Sequence, residues 1–209
     1  MRPEPILCIS PYADVYPSES YEDFEAEEHI LARGVGATPL LWLAMFRLDD
    51  VRRISDGLDL GGSQNRNAAA TVLTSRQRAL TNLYASVPVL DHRFSASLSE
   101  SAELLREAVR WLSGDTVTIE WWMDDCADTA MFVSEAELTK ALKVFESDQS
   151  VSTDDVDTLL RLTGLDNEEP RALTRLLSQS VPVHRTPQGD LSRILGRSHM
   201  RMVPWEVPF

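Results

Sequence analysis

The chain is short of cysteine, of lysine and of long apolar runs, and each shortage excludes something. Two cysteines, Cys8 and Cys126, stand in 209 residues. A disulfide framework needs more, and neither belongs to a CxxC pair, so a reducing compartment and free thiols are expected. Cys8, inside ILCIS, reads as a small buried hydrophobe. The longest apolar run is PLLWLAMF at Pro39–Phe46, far below the ~20 residues that span a bilayer. MRPEPILCIS carries one basic residue and a short apolar run, too little for a secretory signal. The expectation is a cytoplasmic protein with no membrane association.

Basic charge is scarce too. Acids outnumber bases 33 to 20, for a net charge of -13. A surface of that sign repels phosphate, which argues against nucleic acid and against anionic lipid as partners. Catalytic signatures are also missing. His29, His92, His184 and His199 stand in neither HExxH nor HxH spacing, so zinc is not indicated. There is no GxSxG elbow, and DGLDLGGSQN has neither GxGxxG nor the phosphate-loop lysine. No cofactor is expected.

What is present is an ordinary globular composition, 43% hydrophobic and 25% charged. That suits one domain over residues 1–209. Pro5–Ser10 reads as a buried strand. Ser20 caps an expected helix from Tyr21 to about Arg33, with Glu22, Asp23 and Glu25 at its positive end and Gly34 and Gly36 closing it. Residues 39–48 suit a central strand or a buried helix equally, because periodicity does not separate the two. Asp49 caps a short expected helix, DDVRRI. A helix from Ser75 to Ser86 should end at Pro88. The next, opened by Ser97 or Ser99, buries Leu104, Leu105, Ala108, Val109 and Leu112, and Gly114 closes it.

Thr116–Trp122, TVTIEWW, is the best strand, β-branched and aromatic with alternating faces. Ser134 and Glu137 form a capping box for a helix to about Glu146. Helices over Thr153–Leu162 and Pro170–Ser178 follow, with Pro170 suited to the first helical position. Val181–His184 reads as a last strand, and Leu191–Leu195 as a helical turn. The class is therefore α+β: a small mixed sheet with packed helices and a mainly helical C-terminal third, residues 150–209 standing as a helical appendix.

Charge is unevenly laid out. Residues 1–33 are net -6 and residues 113–170 net -12, whereas residues 171–209 are net +4. The basic tail can fold back on the acidic stretch. The most unusual cluster gathers Glu120, Asp124, Asp125 and Asp128 within nine residues, beside Trp121 and Trp122. Its spacing begins like a calcium loop, with Glu135 at the twelfth position. Cys126 and Thr129 occupy places that need an oxygen ligand and a turn glycine, so the pattern departs from that loop. Tryptophan beside carboxylates makes a good anchor for a basic surface.

Three functions are compatible with this chain. The leading one is an acidic binding protein that sequesters or inhibits a basic protein partner, through Glu120, Trp122, Asp124, Asp125 and Asp128 and through Glu22, Asp23 and Glu25. The second is a metal-assisted hydrolase using Asp124, Asp125 and Asp128, with His92 as base. The third is a homo-oligomeric assembly protein that buries PLLWLAMF and the Trp205/Phe209 tail at an interface.

Overall fold

Alternation of apolar residues in the two clearest strand segments builds the centre of the molecule. In a computed structural model, β1 (Glu4–Ser10) and β5 (Thr116–Trp122) pair antiparallel along their whole length, from Glu4 opposite Trp122 to Ser10 opposite Thr116. The structure describes residues 4–10, 30–34, 36–53, 70–122, 133–146, 150–178, 188–198 and 202–206, without the side chains of 4–6, 8, 10, 120–122 and 188–190. The fold is α+β. Six strands lie in the order β3-β4-β5-β1-β2-β6, and every described pairing is antiparallel. The flanking strands are β2 (Ile30–Arg33), β3 (Val51–Arg53), β4 (Ala70–Ser75) and β6 (Arg197–Ser198). Val72, Ile119, Leu7 and Ala32 stand opposite one another across four strands, and all four are fully buried. This row is the sheet's side of the core.

Four strand segments depart from the sequence expectations. Ile30–Arg33 is a strand, not the end of a helix, because pairing with Ile6–Cys8 buries Ile30, Leu31 and Ala32 together. DDVRRI is not a helix either. The Asp50 carboxylate accepts the Arg47 backbone N–H at 2.8 Å and closes a 3-10 turn over Leu48–Asp50, after which Val51–Arg53 extends along Ala70–Val72. β4 alternates buried and half-buried residues and is β-branched at three of six positions, a signal the sequence reading passed over. β6 is only two residues long, too short for any pattern to mark.

The helices follow their sequence signals more closely. α1 (Leu40–Leu43) resolves the ambiguous segment as a buried helix. α2 (Arg76–Phe94) runs straight through Pro88. Proline removes the bond to the carbonyl four residues back, here that of Tyr84. Tyr84 and Pro88 are both exposed, so water can satisfy that carbonyl. α3 (Ser99–Trp111) starts after Leu98, with no side-chain cap from Ser97 or Ser99; instead the Asp91 carboxylate accepts the Leu98 N–H at 2.9 Å. Leu105, Ala108, Val109 and Leu112 are buried as expected, and Leu104 packs against them half-buried. α4 (Glu135–Lys143), α5 (Thr153–Leu162) and α6 (Pro170–Leu177) match expectation, and α7 (Gln188–Leu195) is longer than the turn foreseen. The strand expected at Val181–His184 lies outside the described residues.

A wholly apolar buried segment still has backbone groups to satisfy. Polar side chains of α2 supply the partners. Ser86 donates to the Ala44 carbonyl and Asn82 to the Met45 carbonyl, both at 3.0 Å, while Arg47 donates to Phe46 at 2.9 Å. PLLWLAMF is thus spent inside its own core.

The C-terminal third is tied to that core by two indoles. Trp42 donates to the Leu195 carbonyl at 2.9 Å, and Trp205 donates to the Gly196 carbonyl at 3.0 Å. Gly196 has φ +80, and a Cβ there would lie 2.4 Å from the Trp42 ring. β6 then joins the sheet beside β2, and the Thr38 N–H reaches the Leu162 carbonyl. The C-terminal third therefore contributes to the shared core and to the sheet. Trp205, only 4% exposed, is held within the chain. Trp42→Phe, which keeps one aromatic ring but deletes the N–H and part of the buried indole, should destabilise the protein by at least about 1–3 kcal/mol, by orphaning a buried carbonyl and leaving a cavity. Urea unfolding monitored by circular dichroism measures this, and an unchanged midpoint contradicts it.

Candidate functional site

The acidic segments are best placed by where the sheet anchors them. β1 ends at Ser10 and β2 begins at Ile30, so the acid-rich stretch 11–29 is anchored at the end of the sheet where Ser10 faces Thr116. β5 ends at Trp122, opposite Glu4, so the stretch 123–132 leaves from the other end. Seven strand residues at ~3.3 Å each separate the two ends by about 20 Å. The two acidic stretches thus start from opposite edges of the molecule.

Of the residues singled out in the sequence, Glu120 and Trp122 lie on β5, two residues apart. Strand alternation puts them in rows alternating with that of the buried Ile119. Glu22, Asp23, Glu25, Asp124, Asp125, Asp128 and Cys126 lie outside the described residues. His92 is exposed in the last turn of α2. Among the described residues no group of three or more histidine, cysteine or acidic side chains could hold a metal ion.

Described carboxylates are largely matched within the chain. Glu137 pairs with Arg161 at 3.0 Å and Asp154 with Lys140 at 2.6 Å, both across the α4–α5 hairpin. Glu135, the residue at the twelfth loop position, pairs with Arg53. Arg193 reaches Glu168 at 2.5 Å, so the basic tail does fold back onto the acidic stretch at this point. Asp50 and Asp49 share Arg78, and Glu146 faces Arg47. A cleft of about 380 Å³ between α4 and α5 is lined by Glu137, Lys140, Asp154, Asp157 and Arg161. Glu137 and Asp154 are paired there with Arg161 and Lys140, while Asp157 and Asp166, which also line the cleft, belong to no ion pair among the described residues, so the lining has four acids to two bases.

Two of these carboxylates also cap helices. Burial pushes the Glu137 carboxyl up, but the Ser134 backbone N–H and hydroxyl, with Arg161, outweigh it and hold it below its ordinary value. The Ser152 hydroxyl and backbone N–H hold Asp155 below its ordinary value in the same way. Sequence spacing revealed the first capping box and missed the second, because Asp155 replaces the usual glutamate or glutamine. Asp154 holds the Lys140 ammonium above its ordinary value by direct hydrogen bonding.

Residues 11–29 carry seven acids with no lysine or arginine. Compared with family models, curated proteins and solved structures, the chain matches none.

The capping boxes give a pH-dependent test. Ser134→Ala and Ser152→Ala should each cost about 1 kcal/mol at pH 7. Each carboxylate's folded pKa lies below its unfolded value, so its contribution is present above the ordinary carboxylate range and is lost as pH falls through the lowered one. The cost of each substitution should therefore shrink in strong acid. Urea midpoints across pH check this; a pH-independent cost contradicts it.

Proposed function

We propose that this is an acidic binding protein that sequesters or inhibits a basic protein partner. One observation carries the reading: the negative surplus is concentrated in two segments, net -6 over residues 1–33 and net -12 over residues 113–170, while residues 171–209 are net +4. Excess charge needed only for solubility has no reason to concentrate in this way. Seven acids without a single lysine or arginine, set between two adjacent strands, form the densest such stretch. Glu22, Asp23 and Glu25 supply the principal contact in this reading. Glu120, Trp122, Asp124, Asp125 and Asp128 supply a second, anchored at the far end of the sheet. The strand ends from which the two stretches leave lie about 20 Å apart, the length of β1. Steering by unbalanced carboxylates accelerates encounter and weakens with salt.

A fluorescent deca-arginine peptide serves as the basic probe. Glu22→Gln/Asp23→Asn/Glu25→Gln should weaken its binding by about tenfold at low salt. Asp124→Asn/Asp125→Asn/Asp128→Asn should weaken it to a smaller extent. The control is Asp115→Asn/Asp157→Asn/Glu169→Gln, which removes the same charge from exposed positions of the scaffold. Fluorescence anisotropy reads all three. If the control weakens binding as much as the first variant, charge position is irrelevant and the reading fails.

A further inference from the structure

We draw no further inference here: the strongest candidate, the cleft of about 380 Å³ between α4 and α5 in which Asp157 and Asp166 belong to no ion pair among the described residues, rests on a cluster of acidic side chains alone, because its one buried polar side chain, Thr158, already donates to the Asp154 carbonyl at 2.7 Å and nothing else in the structure points to a ligand there.

Discussion

Two indole N–H groups on successive carbonyls hold the ends of this fold together. Trp42 comes from the buried α1 helix and Trp205 from the C-terminal turn, and they cap Leu195 and Gly196 where α7 stops. The helix end would otherwise leave these carbonyls without intrahelical partners. Because the bonds are buried, they are expensive to lose and selective in geometry. Gly196 is the residue that permits them: its positive φ turns the chain, and its lack of a side chain admits the Trp42 ring. From that junction β6 is delivered to the sheet edge and Glu206 to the Ser198 N–H, which covers part of that edge.

The same economy of polar groups runs through the core. PLLWLAMF looks in isolation like a surface for another molecule. In the fold its carbonyls are met by Ser86, Asn82 and Arg47, and its side chains are fully buried. Neither apolar segment considered for a subunit interface is left free in its described part. Polar satisfaction and burial together make α1 an internal element.

Charge follows a different rule. The scaffold uses arginine to bridge elements distant in sequence, as in Arg53 with Glu135 and Arg193 with Glu168. Such exposed pairs add little stability individually. Their effect here is to pair charge locally among the described residues. Arg33 and Arg197 stand opposite each other across β2 and β6, with the Glu206 carboxylate on the adjacent Ser198 N–H.

Local chemistry was enough to place the helices of the second half and the central strand. Ser134 with Glu137, Pro170 at a first helical turn and the alternation of TVTIEWW act within a few residues, so they are readable without the fold. The concentration of acids was equally plain, though the carboxylates thought most important fall largely outside the described residues. Strands β2, β3 and β6 are not legible in the sequence, because two to four residues become a strand only when a neighbour accepts their hydrogen bonds. Pro88 misled for the related reason that its helix is exposed at that turn, where water replaces the missing bond. Sequence by itself determined the α+β class, the capped helices and the sign and clustering of charge. Tertiary structure alone decided which short segments pair, that PLLWLAMF lies inside, and that Arg33 meets Arg197, since each depends on contacts between residues far apart in the chain.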